Sequence, residues 1–386
     1  MGIDVEAAKP NWEKIRQRVG KIVENFRNGM TLTMKNNKVA VFGGRAIALS
    51  PNLVRVETQK GRIELQTDKL IIATGSDSIQ LPAVPFDGTT IISSKEALFQ
   101  PEIPKSLAII GGGFIGCEIG CFYAAVGCKV TIIVAHDRIL SREDEWVGKL
   151  LVREFKRLNI EVLTNQKVVS SVKQKGPAKI NLEGGKTIEA EKVLVAVGRK
   201  ANCDKETIDA LRLEMNGSAI KVNNKFETNI PGVYAVGDCI GTTFLAHGAT
   251  VEAEIAAANA TGGNERMYDY NLIPRAAFTF PEVAAVGKTE EQCRADGLDV
   301  AVGKAFFRAD GGSVAQNELA GEVRVICDKA KQKIVGITMV GSRVTELAAL
   351  ARALIGTGEK ISNICFPHPT VSEVVQEAIE NAFVKR

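Results

Sequence analysis

The sequence predicts an α/β protein with a doubly wound parallel sheet, followed by a separate α+β module near the C-terminal end. Three observations carry this prediction. The run from Ser106 to Val134 has the pattern of a buried strand, a glycine turn, a helix and a second buried strand. Apolar strand patterns then alternate with helical patterns up to about residue 260. From about residue 272, strand patterns follow one another at short spacing and two helical patterns close the chain.

The segments before residue 104 predict one helix and a small antiparallel sheet. Apolar residues recur at helical spacing over 11–27, and Asn28-Gly29 is the predicted end of that helix. A buried strand ends in the loop Ala73-Thr74-Gly75-Ser76. Glycines and Pro51 separate three shorter predicted strands, at 38–42, 53–58 and 62–67.

The later segments fill in the parallel sheet and the C-terminal module. Helices are predicted at 146–158, 247–260, 344–356 and 371–384. Strands are predicted at 160–164, 192–199 and 231–236, with a hairpin-rich stretch before 190. The predicted strands of the module are AAFTF, EVAAVG, KAFFR, EVRVICD and KIVGITMVG.

The composition is that of an ordinary globular chain. Its 386 residues are enough for two or three domains, and the net charge of +4 does not indicate a nucleic-acid partner. No apolar run approaches the roughly 20 residues that span a bilayer, and no signal core is present at the N-terminus, so we expect no membrane partner and a cytoplasmic location. The eight cysteines have no zinc-like or secreted-disulfide spacing, so we interpret them as structural and expect no metal site.

The glycine turn indicates dinucleotide binding. Gly111, Gly113 and Gly116 form G-x-G-x-x-G where a strand ends and a helix begins, so the helix N-terminus can face a pyrophosphate. A purely structural turn is the alternative. Val134 stands where an acidic residue usually binds the adenosine ribose, and Arg138 follows four residues later. NAD is therefore the default cofactor and NADP stays open.

Six motifs in order resemble the class I pyridine nucleotide–disulfide oxidoreductases, and among them the dihydrolipoamide dehydrogenases most of all. They are ATGS at 73–76, GGGFIGCEIG at 111–120, VAVGRKAN at 195–202, GVYAVGDC at 232–239, LAHGA at 245–249 and HPTVSE at 368–373. The resemblance covers essentially the whole chain. It implies a partial FAD-binding domain at 1–100, an inserted NAD(P)-binding domain at 101–218, a return segment of the FAD-binding domain at 219–270 and a dimerisation domain at 271–386.

The resemblance also implies two cofactor sites. The residues expected to bind NAD are Gly111, Gly113, Ile115, Gly116, Glu118 and Gly198. The residues expected to bind FAD are Gly44, Thr74, Gly75, Ser76, Asp238, Leu245, Ala246 and His247. Structural alternatives exist: Glu118 is also typical of a solvent-facing first helical turn, and Asp238 of a turn after a strand.

The resemblance implies that His368 is the acid–base that exchanges a proton with a substrate thiol, and that Glu373 orients it. A histidine titrates near neutral pH, and a carboxylate partner fixes its tautomer. Thr370 and Glu373 also form T-x-x-E before an apolar helical run, which predicts a capping box. Both interpretations can hold together.

The chain departs from the family at one place. It has no earlier G-x-G-x-x-G unit for FAD and no C-x-x-x-x-C redox pair. Three explanations are open: a truncated gene model, a split enzyme whose missing N-terminal unit is supplied in trans, or a relative that binds a dinucleotide without dithiol chemistry.

The function implied is that of a homodimeric flavoprotein oxidoreductase of the dihydrolipoyl dehydrogenase type. Electrons would pass from a dihydrolipoamide-bearing protein or a small dithiol through FAD to NAD. One alternative is a cysteine-independent pyridine nucleotide transhydrogenase-type flavoprotein. Another is a non-catalytic dinucleotide-binding or interaction protein.

Overall fold

The computed structural model describes residues 8–172, 176–267, 269–355 and 364–383. The α-helices of these residues are α1 (Trp12–Asn36), α2 (Ser94–Ala97), α3 (Phe114–Ala125), α4 (Glu145–Arg157), α5 (Lys205–Leu211), α6 (Ala246–Ala260), α7 (Glu290–Ala295), α8 (Gly311–Gln316), α9 (Ala348–Leu354) and α10 (Ser372–Phe383). The strands are β1 (Arg45–Ser50), β2 (Leu53–Thr58), β3 (Gly61–Gln66), β4 (Leu70–Ile72), β5 (Ser76–Ser78), β6 (Ile91–Ile92), β7 (Ser106–Ile110), β8 (Lys129–Ile133), β9 (Ile160–Leu163), β10 (Val168–Val172), β11 (Ala178–Leu182), β12 (Thr187–Ala190), β13 (Lys192–Val195), β14 (Arg199–Ala201), β15 (Met215–Asn216), β16 (Ala219–Ile220), β17 (Val233–Ala235), β18 (Arg275–Ala277), β19 (Glu282–Gly287), β20 (Val300–Phe306), β21 (Glu322–Asp328) and β22 (Lys333–Gly341).

The chain divides into two compact units. Unit 1 contains residues up to 77, the short segment 99–103 and the segment from 199 to 267. Unit 2 contains residues 78–98, the segment from 104 to 198 and the described residues from 269 onward. The segment 199–218, which the sequence boundaries place in the NAD(P)-binding domain, therefore groups with unit 1. The functional domain boundaries stay a prediction.

A five-stranded parallel sheet is the first layer of unit 2. Its order is β6-β13-β7-β8-β9, so β7 lies at the centre with β13 and β8 on either side. Strands β7 and β8 are mostly apolar and buried, and Ile109 and Ile132 are fully buried. Helix α3 approaches closely at Gly120, where a Cβ would lie 3.3 Å from both isoleucine side chains. This arrangement brings the carboxyl ends of β7 and β13 to the glycine turn.

A five-stranded antiparallel sheet forms the second part of unit 2. Its order is β18-β19-β22-β21-β20, and helices α9 and α10 pack on it over a core that includes Phe307, Ile337 and Val375. Helix α10 crosses β20 so closely that a Cβ at Gly303 would lie 1.9 Å from the carbonyl oxygen of Ala378. The predicted α+β character of this region is confirmed.

Unit 1 is built from a three-stranded antiparallel sheet and a parallel strand pair. The first has the order β1-β2-β3, and helix α5 packs against β1, where Ala48 N–H donates to Thr207 Oγ1 at 3.1 Å. The second pairs β4 with β17, with Leu70 opposite Val233. Helix α6 follows β17 through a 3₁₀ turn at Gly237–Ile240.

Helix α1 is longer than predicted and almost entirely open to solvent. None of its 25 residues is buried, and Phe26 and Met30 are 72% and 63% exposed. A cavity of about 410 Å³ lies on its C-terminal half, lined by Asn25, Phe26, Gly29, Met30, Thr33 and Met34. The predicted end at Asn28-Gly29 is wrong, because Gly29 does not take the left-handed conformation that ends a helix and Lys38 does, at φ +57°.

The strand predicted at 38–42 is also wrong. Those residues follow the end of α1 as an exposed connection to β1. Alternating apolar residues form a strand only where a neighbouring strand offers hydrogen bonds. No ladder includes this segment within the described part of the chain.

Candidate functional site

The glycine turn of unit 2 needs glycine at its first and third positions. Gly111 has φ +115°, and a Cβ there would lie 2.3 Å from the carbonyl oxygen of Ala196. A Cβ at Gly116 would lie 2.1 Å from the carbonyl oxygen of Gly111. Both contacts are with backbone and cannot be relieved by a side-chain rotation. The chain therefore turns tightly from β7 into α3, with the helix packed against the turn.

The middle glycine is different, since it faces open space. Gly113 is the exposed N-cap of α3, no side chain caps the helix there, and a Cβ would meet no atom within 4 Å. The twelve-residue helix α3 begins at Phe114 and points its first amide groups at this opening, with Ile115 half-buried beside it. Uncapped amides at a helix N-terminus attract anions. The turn therefore fits the pyrophosphate of a dinucleotide.

The alternative interpretation of Glu118 as a solvent-facing carboxylate of the first helical turn is wrong, because α3 begins at Phe114 and Glu118 lies in its second turn. It is half-buried, and its Oε1 accepts a hydrogen bond from Phe278 N–H at 3.0 Å. Burial raises the pKa of this carboxyl, and the bond from Phe278 opposes that rise. Gly198, the last residue of the predicted NAD set, has φ +132° after β13 and accepts from Ile79 N–H at 3.1 Å.

The end of β8 offers no carboxylate for a ribose. Val134 is buried there, and Val134 N–H donates to the carbonyl of Leu163 at 2.8 Å. Arg138, the nearest cation that the sequence offers, is paired with Glu291 at 2.9 Å. Arg138 is therefore already neutralised by a protein partner.

A compact polar cluster in unit 1 joins two of the predicted FAD residues. Ser76 Oγ donates to the carboxylate of Asp238. Arg199 donates through Nε to Ser76 Oγ and through Nη2 to the Ser76 carbonyl, both at 2.6 Å, and its Nε lies 3.6 Å from Asp238 Oδ2. Sequence reasoning did not single out Arg199, although its place directly after the strand-ending glycine of VAVGR was a usable signal.

The remaining FAD predictions fall on loops and one helix start. Thr74 donates through Oγ1 to the carbonyl of Asn202, and Gly75, at φ +75°, has no atom within 4 Å of a Cβ. Leu245 is the N-cap of α6, and Ala246 and His247 are exposed in its first turn. A helix start without a side-chain cap, an open glycine and the nearby arginine suit an anionic cofactor. The residues present therefore fit FAD.

Gly44 has a sufficient structural reason to be glycine. A Cβ there would lie 2.3 Å from the carbonyl oxygen of Glu57. This close approach is between β2 and the residue before β1. Its assignment to FAD stays a prediction.

His368 and Glu373 are in contact, in unit 2. His368 Nδ1 lies 3.0 Å from Glu373 Oε1, and the imidazole side chain is 78% exposed. Thr370 N–H donates to Glu373 Oε2 at 2.9 Å, and this bond together with the one from His368 holds the pKa of Glu373 below its usual range. Thr370 Oγ1 donates instead to the carbonyl of Pro367, so only the glutamate half of the predicted capping box is formed.

Nowhere in residues 8–172, 176–267, 269–355 and 364–383 do three or more His, Cys, Asp or Glu side chains group as they would around a metal ion. None of the helices in the same ranges combines the length and the apolar character needed to cross a bilayer.

Comparisons with known proteins agree with the resemblance. Residues 3–255 match the profile of the pyridine nucleotide-disulphide oxidoreductases, and residues 273–379 match the dimerisation domain of the same family. The dihydrolipoyl dehydrogenase of Bacillus subtilis is 35% identical over 385 residues, covering 98% of this chain and 84% of the relative. Dihydrolipoyl dehydrogenase 1 of Arabidopsis thaliana mitochondria is 34% identical over 387 residues, covering 98% and 76%.

Two solved structures share the fold. LpdA from Mycobacterium tuberculosis superposes with a TM-score of 0.91 at 22% identity, covering 98% of this chain and 85% of that one. The HOCl-induced flavoprotein disulfide reductase RclA from Escherichia coli superposes with a TM-score of 0.87 at 24% identity, covering 96% and 85%. The predicted fold class and the presence of a dimerisation domain, which supports a homodimer, are confirmed. The chain belongs to the pyridine nucleotide-disulphide oxidoreductase family.

Proposed function

We propose that the chain is the framework of a dihydrolipoyl dehydrogenase, which oxidises the dithiol of a dihydrolipoamide-bearing protein or a small dithiol. The observation that carries the proposal is the contact between His368 and Glu373. The carboxylate holds Nδ1 and leaves Nε2 of an exposed imidazole to exchange a proton with a thiol. Dihydrolipoyl dehydrogenases that match nearly the whole chain support the same assignment.

The chain's own residues supply binding and proton transfer. When bound, FAD and NAD supply the electron-accepting chemistry of the reaction. His368 accepts the proton of the substrate thiol, so the attacking group is a thiolate. Glu373 keeps Nδ1 as the protonated nitrogen and stabilises the imidazolium that forms. In the homodimer proposed here, His368 serves the redox centre of the partner protomer.

The predicted cofactor residues are part of the proposal. NAD is assigned to the open side of the glycine turn at Gly113, with its pyrophosphate at the start of α3. FAD is assigned to the cluster of Ser76, Arg199 and Asp238 together with the start of α6. NAD is preferred to NADP because Arg138 is already paired.

One requirement of the reaction has no counterpart in the sequence. No two of the eight cysteines are five residues apart, so no C-x-x-x-x-C pair is available to accept electrons from the dithiol. We propose that a segment outside these 386 residues, in the same polypeptide or in a separate one, carries that disulfide. The same observation favours the alternative function, a transhydrogenase-type flavoprotein that moves hydride between nucleotides without cysteines.

Absorbance and two activity assays distinguish these functions. The purified chain would be measured alone and after mixing with a separately produced segment that contains the missing G-x-G-x-x-G and C-x-x-x-x-C motifs. A flavin absorbance band, and NADH-dependent reduction of lipoamide that appears with the segment, support the proposal. His368→Gln should then abolish lipoamide reduction and keep the flavin.

Other outcomes of that experiment decide against the proposal. A flavin-loaded protein that only transfers hydride between nucleotides, with or without the segment, would be a transhydrogenase. A colourless, stably folded dimer in both conditions would be a non-catalytic binding protein.

We also propose a cytoplasmic location, which the eight unpaired cysteines favour because reduced thiols are typical of that compartment.

A further inference from the structure

The edge strand β18 of the antiparallel sheet and the residue directly after it contact both sides of the glycine turn: Arg275 bonds to Glu143, and Phe278 bonds to Glu118. We infer that Glu143 and Arg275 are positioning residues for the dinucleotide site, which they hold in shape from the dimerisation domain. The inference rests on the proposed binding of a dinucleotide at Gly111–Gly116. It concerns residues that no motif marks and that lie 132 positions apart in the sequence.

The first step concerns the segment on which the glycine turn packs, Ile139-Leu140, which we call the floor of the turn. Leu140 N–H donates to the carbonyl of Gly112 at 2.8 Å, and both Ile139 and Leu140 are buried. Gly112 packs so tightly on this floor that a Cβ would lie 2.8 Å from the side chains of Ile139 and Val134. The position of the glycine turn is therefore set by the segment that contains Leu140.

The second step connects the floor to Glu143. Leu140 has φ +46°, and Glu143 N–H donates to the carbonyl of Leu140 at 2.8 Å, which closes a tight turn. A non-glycine residue in this conformation is held there by its surroundings. Glu143 is 2% exposed, so its charge needs a partner in the protein. The position of Glu143 is therefore tied through this turn to that of Leu140.

The third step is the partner itself. Arg275 donates to both carboxylate oxygens of Glu143, through Nε at 2.7 Å and Nη2 at 3.0 Å, and through Nη1 to the carbonyl of Gly287 at 3.3 Å. Its backbone is paired with Ala285 of β19. The two-point guanidinium bond fixes direction as well as distance. The sheet therefore determines where Glu143 lies.

The opposite side of the turn is held from just beyond the end of the same strand. Phe278, directly after β18, donates its N–H to Glu118 of α3 at 3.0 Å. Arg275 thus holds the segment under the turn through Glu143, and Phe278 holds the helix that follows the turn through Glu118. A misplacement of about 1 Å caused by a change far from the site can cost about a hundredfold in rate. Loosening one fastening should therefore weaken dinucleotide binding without removing any residue that contacts it.

Binding of NADH by isothermal titration tests this without requiring turnover. Glu143→Gln and Arg275→Gln should each weaken binding about tenfold, and the double variant should be no weaker than either single one, because both remove the same contact. Arg275→Lys keeps the positive charge but cannot donate to both carboxylate oxygens as the planar guanidinium does. It should therefore bind NADH more tightly than Arg275→Gln and less tightly than the wild type. Circular dichroism at the titration temperature would establish that each variant is folded.

Glu154→Gln is the matched control. Glu154 is a buried carboxylate of the same unit that is bonded to Arg153 and Arg157, at the far end of α4 from Glu143. It should leave NADH affinity unchanged. Equal affinity of wild type, Glu143→Gln and Arg275→Gln would overturn the inference alone, as would an equal loss in Glu154→Gln. A wild-type chain that binds no NADH would overturn the proposed function as well.

Discussion

Gly113→Ala separates the role of the glycine turn in binding from its role in folding. The N-cap Gly113 has φ −79° and no atom within 4 Å of a Cβ, so alanine fits the ligand-free fold. If the pyrophosphate lies against this position, the new methyl group occupies its place. We therefore expect a folded protein that binds dinucleotide poorly.

The two effects differ in size. Alanine is a poorer N-cap than glycine by about 0.5–1 kcal/mol, which lowers Tm by about 1–4 °C in a unit of this size. Displacing a charge-assisted hydrogen bond between an amide and a phosphate costs about 1.5–3 kcal/mol, which is roughly a 10- to 100-fold weaker Kd. Gly116→Ala should instead lower the stability of the fold, because its Cβ would lie 2.1 Å from a backbone oxygen. Overpacking of this kind costs about 1–3 kcal/mol or more of stability.

Calorimetric titration of NADH and thermal unfolding would be measured on both variants beside the wild type. The reasoning is refuted if Gly113→Ala binds NADH as tightly as the wild type. It is also refuted if Gly113→Ala loses as much stability as Gly116→Ala, because the open space at Gly113 would then not exist.

Three further predictions concern the catalytic pair and the thiols. In the chain mixed with the missing N-terminal segment, Glu373→Gln should lower the rate of NADH-dependent lipoamide reduction about 10- to 100-fold and leave the flavin absorbance unchanged. An unchanged rate would exclude the role given to Glu373. Thr370 N–H and His368 lower the pKa of Glu373, so its carboxylate should stabilise the folded protein fully above the ordinary glutamate pKa and lose this effect as pH falls through the lowered pKa. The free energies of unfolding of the wild type and Glu373→Gln should therefore converge in acid. Curves that stay apart at low pH would contradict this. Burial raises the pKa of the Cys121 thiol to about 11, so native alkylation at pH 8 should label the exposed Cys365 and spare Cys121, as read by mass spectrometry of tryptic peptides.

Local patterns predicted those features that depend on neighbours in sequence. The unit of β7, α3 and β8 follows from apolar runs and three glycines. The contact between His368 and Glu373 was expected from the resemblance to the family, and the two residues do lie together. In both cases the residues that meet are close together in sequence.

Features that depend on distant partners were missed. The residues at 38–42 have strand-like alternation, but a strand also needs a neighbour, and that neighbour is not written in the segment itself. The pairing of Glu143 with Arg275 has no local signal at all, because each looks like an ordinary surface charge. Arg199 lies within one of the six motifs, but its contact with Ser76 joins residues 123 positions apart and has no local signal.

The pairing of β4 with β17 has a consequence for synthesis of the chain. Leu70 and Val233 face each other across about 160 residues that leave the ribosome between them. At a synthesis rate of roughly 5–20 residues per second, β17 is made about 10–30 s after β4. All five strands of the parallel sheet around β7 are complete before β17. For that interval the three residues of β4 lack the strand with which they pair in the folded chain.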